Sequence, residues 1–447
     1  MISKKSNKVA YYYNPSIKAL LKYIGISPGN KSLVFFISLV AITIPIGHTY
    51  NSFAVICFVL FSFLSSRQQD FRFSYTLMLP CLLFLLMLLS LLWTFDLKVS
   101  AKALSKEASL LFIPLAFSFN RKLAYNTVTA VLKYFSLTMC AFGVLLMCRA
   151  TFRFTDTGNP AVFFYNELAS GNISIYLATF FSLALFVFLV KEKKTYWGYI
   201  ATLFLMGVVL LLSKKSIIIT DVVLVAAYYI FYSGLQKTTR LLFIVSFCIA
   251  GGLVTYLGGL SENWEPPLSK QQNSNTHIVT LQQAWQKESF TPNDNFDGPA
   301  FRIYRARVLK QMATDGNLFL TGCGLNSSGI KVTEVARKDN TLYPGWEDVP
   351  YNKLNFHNQY MEALADLGIF GLIIVLIMVF YNLSRALQRK YFIHIAFSVL
   401  MISLFLTESF LWRQKGVVFF TLFYCLFNDV RHIPRVKNSN KELIGTP

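Results

Sequence analysis

His357, Asn358, Gln359, Tyr360 and Glu362 stand together immediately before a long apolar run. Histidine is the side chain whose ordinary pKa lies nearest neutrality, so it can take a proton from a hydroxyl and return it. A second set of candidates is cationic. Lys214 and Lys215 occupy a short turn, Leu212-Ser213-Lys214-Lys215-Ser216, between two apolar runs. Arg302, Arg305, Arg307 and Lys310 follow one another along a predicted helix, Arg149 and Arg153 lie in an earlier loop, and Arg413 and Lys415 in the last one. Arginine presents a planar fork to phosphate oxygens and lysine a point charge. Proton transfer beside a bound phosphate is the chemistry these types suit. Plainer readings stand beside it: a lone histidine can be a packed structural residue, and long cationic side chains can snorkel to lipid headgroups. Arg307 and Lys310 read as solvated surface.

The elements that must position these residues are apolar. Of 447 residues, 54% are hydrophobic and 42 are Phe, with only 14% charged, a composition that excludes a soluble domain. Runs near the ~20 residues needed to cross a bilayer recur. They fall at 32–48, 51–66, 74–93, 105–119, 127–148, 172–190, 195–212, 216–233, 241–258, 367–383, 391–407 and 415–428. Backbone groups in lipid must be satisfied internally, so the expected fold is an all-α polytopic membrane protein with about twelve spans. The net charge of +20 is explained by placement. Lys4, Lys5, Arg67, Arg72, Arg121, Lys122, Lys191, Lys237, Arg385, Arg389 and Arg435 all fall on one side of the predicted spans, the positive-inside pattern. Both termini are then cytoplasmic and the long polar segment is outside. The basic stripe with interleaved aromatics that nucleic-acid binders use is missing.

The expected organisation is a cytoplasmic segment 1–31, spans one to nine over 32–258, an outer loop 259–366, spans ten to twelve over 367–428, and a cytoplasmic tail 429–447. Within the loop, 261–300 and 331–355 read as irregular and 300–314 as a helix with Phe301, Tyr304, Val308 and Met312 on one face. Thr321-Gly322-Cys323-Gly324-Leu325-Asn326 reads as a glycine turn, and His357–Leu367 as a surface helix ended by Gly368. Glu362 and Asp366 read as partners of basic neighbours. Asp221 reads either as a functional intramembrane acid or as one half of an ion pair. Asn293-Asp294-Asn295-Phe296-Asp297-Gly298 imitates a calcium loop but has Tyr304 at the twelfth position, so it reads as a turn. The seven cysteines fit neither a disulfide framework nor a CxxC metal site.

Three stretches resemble the O-antigen ligase family of polytopic bacterial glycosyltransferases. Arg302 opens a loop helix and Leu318-Phe319-Leu320-Thr321-Gly322-Cys323-Gly324 follows. His357-Asn358-Gln359-Tyr360-Met361 runs on to Leu367-Gly368-Ile369-Phe370-Gly371. The third, Glu408-Ser409-Phe410-Leu411-Trp412-Arg413-Gln414-Lys415-Gly416-Val417-Val418-Phe419-Phe420, looks like the version in Bacteroidetes-type members. Ser213-Lys214-Lys215 stands where the family has serine-arginine, with Lys215 the stand-in. Ala306 occupies the place of the family's tryptophan and Leu320 that of its proline.

The resemblance implies a GT-C-like membrane fold with a large partly helical periplasmic loop. It implies transfer of a glycan from an undecaprenyl-diphosphate carrier to a hydroxyl of lipid A–core or another glycan acceptor, inverting and without metal or cofactor, at the periplasmic face of the inner membrane. On this reading His357 is the general base, and Arg302 and Lys215 hold the diphosphate. Lys214, Arg305, Asn358, Tyr360, Arg413 and Glu408 complete the substrate site. A polymerase that joins carrier-linked repeat units is chemically near-identical and stays open. A lipid-linked sugar transporter is the alternative of another class, for which the internal repeats and broken helices are not seen.

Overall fold

The computed structural model describes residues 30–65, 71–191, 195–233, 277–314, 318–344 and 349–431, together with scattered positions in 19–23 and 238–256. The chain is mostly helical. It opens with α1 (Asn30–Thr43), α2 (His48–Ser65), α3 (Tyr75–Leu89), α4 (Leu97–Glu107), α5 (Ser109–Ser118) and α6 (Tyr125–Thr157). After α7 (Tyr165–Ala169) come α8 (Ser174–Leu189), α9 (Tyr196–Leu211) and α10 (Lys215–Phe231). Helices thus coincide with all the predicted apolar runs except 241–258, which lies outside the continuously described residues. The run at 105–119 is divided between α4 and α5, where Asp96 caps α4 by accepting from the Val99 amide.

Among the described residues, four helices are long and apolar enough to cross a membrane: His48–Ser65, Tyr75–Leu92, Tyr125–Thr157 and Gln359–Arg389. Their outward faces carry Phe53, Leu60, Phe63, Leu85, Phe370 and Phe380, all strongly exposed. Apolar surface of that extent is what lipid covers and water does not tolerate. The inward faces meet in one core in which Phe135, Phe397, Phe419, Phe423 and Phe427 interlock. The fold is therefore that of a helical membrane protein.

The polar segment is more ordered than its composition suggested. A two-stranded parallel sheet pairs β1 (His277–Val279) with β2 (Asp294–Phe296), with α11 (Leu281–Gln286) between them. Then come α12 (Gly298–Ala313), α13 (Leu318–Thr321) and α14 (Gly329–Lys338). The expectation of irregular chain at 261–300 and 331–355 is corrected for these elements. Val332, Val335 and Ala336 sit at helical spacing and bury against the loop's own core. That core is aromatic: Phe290, Phe296, Phe301, Tyr304 and Tyr351 pack edge-on or tilted at 4.9–5.7 Å.

Three helices complete the chain: α15 (Gln359–Arg389), α16 (Phe392–Thr407) and α17 (Gln414–Asn428). Gly368 interrupts α15 with φ 67° and ψ −164°. A Cβ there would lie 2.1 Å from the Leu320 carbonyl oxygen, so only glycine lets α13 approach. Gly322 makes the reciprocal contact: its Cβ would meet the Asp366 carbonyl at 2.4 Å. The glycine turn of the loop and the kink of α15 are thus two halves of one joint, which hydrogen bonds from the Cys323 and Gly324 amides to the Ala365 and Asp366 carbonyls close.

Candidate active site

The loop helix α12 meets the membrane bundle where α15 begins and α16 ends. Asn358 caps α15, its side chain accepting from the Tyr360 and Met361 amides at 3.0 Å each, which satisfies two donors that a helix start leaves open. Its amide nitrogen donates to the Leu406 carbonyl at 3.1 Å, tying the start of α15 to the end of α16. His357 precedes the cap with φ +46°, a conformation disfavoured for a residue with a side chain and a pointer to a functional position. The Asn355 side chain, accepting from the His357 amide at 3.0 Å, helps to hold it there.

The imidazole of His357 pairs with Glu408, Nδ1 to Oε2 at 3.2 Å. Its ring stands edge-on to Phe301 at 5.7 Å. Arg302, one residue along α12, donates to the His357 carbonyl (3.3 Å) and to the Thr407 carbonyl (2.7 Å). One guanidinium therefore bridges the residue carrying the imidazole and the residue before the carboxylate. Burial lowers the Arg302 pKa from its usual value, opposed by the charges of Glu408 and Asp297.

The segment behind Glu408 is held tightly. Ser409 donates to Glu362 at 2.8 Å, and Glu362 also accepts from the Phe356 amide at 3.0 Å. The Leu411 amide donates to Gln359 at 2.7 Å and Tyr176 donates to the Phe410 carbonyl at 3.0 Å. Gly416 completes the turn, since a Cβ there would fall 1.9 Å from that same carbonyl. Below lies a cavity of about 30 Å³ lined by Glu107, Gln359, Glu362, Asp366 and Trp412.

Lys215 starts α10 and is exposed, with Lys214 as the half-buried cap residue, its Nζ 5.8 Å from the Tyr165 ring. Helices α10 and α16 run antiparallel: Thr220 and Ser403 hydroxyls touch at 2.6 Å, and Tyr228 and Tyr232 pack on Phe392 at the far end. Lys215 is five residues above that hydroxyl pair and Thr407 four. At ~1.5 Å per residue, the two lie at nearly the same height. Arg413 is exposed beside its neighbour Trp412, 5.7 Å from the ring, and Lys106 approaches that ring at the same distance. Lys106 is an unforeseen member of this rim.

Several expected roles are corrected. Arg305 is 1% exposed, packs over Phe301 and Phe356, and donates to the Tyr351 and Leu354 carbonyls, so it braces the loop core and does not reach the site. Burial pulls its pKa down to about 10. Tyr360 lies against Phe405 and donates to the Ile402 carbonyl at 3.4 Å, packing α15 on α16 away from the rim. Asn358 is a helix cap, a role that its place before an apolar run could have signalled. Glu408, expected in the substrate site, pairs with His357. The 51-residue separation of the two carries no sequence signal.

Among the described residues, Glu362 and Asp366 do not bond to basic side chains. They are buried and hold loop amides, Asp366 that of Asn326 at 2.7 Å. The predicted surface helix is an inner one. Arg307 is buried in an ion pair with Asp339 at 2.6 Å, not solvated. Asp221 accepts from Ser182 at 2.6 Å and makes no ion pair among the described residues.

A helical membrane protein whose helix ends gather an imidazole–carboxylate pair and a guanidinium is the class that fold and site define. Residues 199–376 match the family model described as O-antigen ligase. The match over that segment supports a ligase- or polymerase-type membrane glycosyltransferase activity. The matched segment takes in Lys214, Lys215, Arg302 and His357, whereas Glu408 and Arg413 lie beyond it. No curated protein matches the chain.

Proposed function

We propose that the protein transfers a glycan from an undecaprenyl-diphosphate carrier to an acceptor hydroxyl of lipid A–core at the periplasmic face of the inner membrane. The carrying observation is the His357–Glu408 pair, clamped by Arg302 at the junction of loop and bundle. Twelve spans, cytoplasmic termini and a periplasmic loop belong to this reading and are supported by the charge distribution.

In the tautomer that donates Nδ1–H to Glu408, Nε2 carries the lone pair that meets the acceptor hydroxyl. As the hydroxyl oxygen attacks the anomeric carbon, Nε2 takes its proton and Glu408 stabilises the imidazolium. The bond from that carbon to the diphosphate oxygen breaks, its electron pair leaves on the diphosphate, and the configuration inverts. Lys215, Lys214 and Arg413 offer the departing charge its partners. Preorganised cations in a water-poor site are worth several kcal/mol of barrier. Arg302 holds the imidazole's backbone and adds its positive field.

The test is transfer by purified protein supplied with carrier-linked glycan and lipid A–core, without nucleotide. His357→Ala should lower turnover by ~10²–10⁴, the contribution of a general base. Undiminished transfer by H357A would remove the base assignment. Product only when a second carrier-linked unit is the acceptor would assign the polymerase reaction.

A further inference from the structure

On the far side of α12 from Arg302, the loop domain holds a groove of about 470 Å³, within the range of small-ligand sites. Arg307, Lys310, Gln311 and Thr314 supply one wall, at the spacing of a single helix face. Trp285, Gln286 and Glu288 supply the second, and Lys338 and Asp339 the third. Trp285 lies in the last turn of the short α11 and is 42% exposed, a large indole left open to water in the groove's wall. The Lys310 ammonium stands 5.6 Å from its centroid. Arg307 and Asp339 neutralise one another at 2.6 Å, so the groove's remaining charges are Lys310 and Lys338 against Glu288.

We propose that this groove binds a carbohydrate segment bearing anionic groups. An exposed indole offers a flat apolar face to the C–H side of a sugar ring. Gln286, Gln311 and Thr314 offer donors and acceptors to ring hydroxyls, and the lysine excess favours a carboxylate or other acidic substituent. Lys310 and Gln311 lie eight or nine residues past Arg302 on α12, about 12–14 Å along the axis. The groove is therefore outside the reaction centre, and it would hold a part of the polymer remote from the bond being made. Its link to transfer rests on the function proposed above; the binding itself does not.

The experiment is calorimetric titration of the full-length protein with a hexamer of galacturonic acid, using maltohexaose as the uncharged counterpart and inorganic phosphate as the bare anion. The acidic hexamer should bind most tightly. Trp285→Ala should weaken it by about fivefold or more, the scale of one aromatic contact. The K310A/K338A double variant should reduce its affinity to that of maltohexaose. His357→Ala, though inactive in transfer, should bind unchanged, so loss of the groove and loss of the reaction are read separately. Equal affinity of W285A and the unaltered protein overturns the proposal. So does phosphate that displaces the hexamer at its own concentration, or binding that disappears in H357A.

Discussion

Glu408→Gln isolates what the carboxylate does for the imidazole, because it keeps the shape and one acceptor while removing the charge. At 3.2 Å an imidazolium and a carboxylate attract by about 5 kcal/mol at an effective dielectric of 20. The side chains are 23% and 13% exposed, so water screens part of this, and roughly 2–3 kcal/mol is a fair share to assign to the transition state. At 1.36 kcal/mol per decade, turnover should fall about 30- to 150-fold. The assay is transfer from carrier-linked glycan with donor and acceptor varied separately. The loss should appear in kcat while the KM for donor stays put, since Glu408 carries the wrong charge to hold a diphosphate. Glu408→Asp retains the charge on a shorter arm and should recover part of the rate, which a merely structural residue would not show. Turnover of E408Q within about threefold of the unaltered protein, or a loss confined to donor KM, would refute the positioning role.

Other perturbations address the scaffold. Arg302→Lys replaces the planar fork that bridges the two carbonyls with a point donor on a flexible stem, so roughly 1.5–3 kcal/mol of charged hydrogen bonding is lost. Both melting temperature and turnover should drop, and a melt unchanged from the parent would contradict the clamp. Gly368→Ala places a methyl group 2.1 Å from the Leu320 carbonyl in a backbone region reserved for glycine. Destabilisation of about 3 kcal/mol or more is expected from thermal unfolding. For Asp294, burial alone would raise the pKa, but hydrogen bonds from Lys287 (2.6 Å) and Thr291 outweigh it and hold the carboxyl below its usual range. A depressed carboxyl stabilises above its unfolded value near ~3.9 and loses that contribution as pH falls through the folded one. Hydrogen exchange over 290–296 should therefore accelerate below about pH 4, and D294N should flatten the dependence.

The sequence by itself determined the class of molecule and the polar residues worth watching. Apolar runs of membrane length force helices because lipid offers the backbone no partners, and α3, α6 and α15 lie where those runs lie. His357 and Arg302 were legible as candidates because both interrupt local pattern: an imidazole at the head of an apolar helix, and a guanidinium at the start of an amphipathic one. Gly368 was legible as a break, since a residue without Cβ is a poor choice inside a helix.

Only the tertiary structure decided which polar groups meet. Arg302 and Arg305 are chemically alike and three residues apart, yet one turns to the junction and the other into an aromatic core, a difference set by what packs against α12. Glu408 became the partner of His357 because α15 begins beside the end of α16, a helix–helix register set by side-chain packing and not by any local spacing. The same reason explains the short elements of the loop domain. Their stability comes from the shared burial of Phe290, Phe296, Phe301, Tyr304 and Tyr351, residues far apart in the chain whose contacts no single window contains.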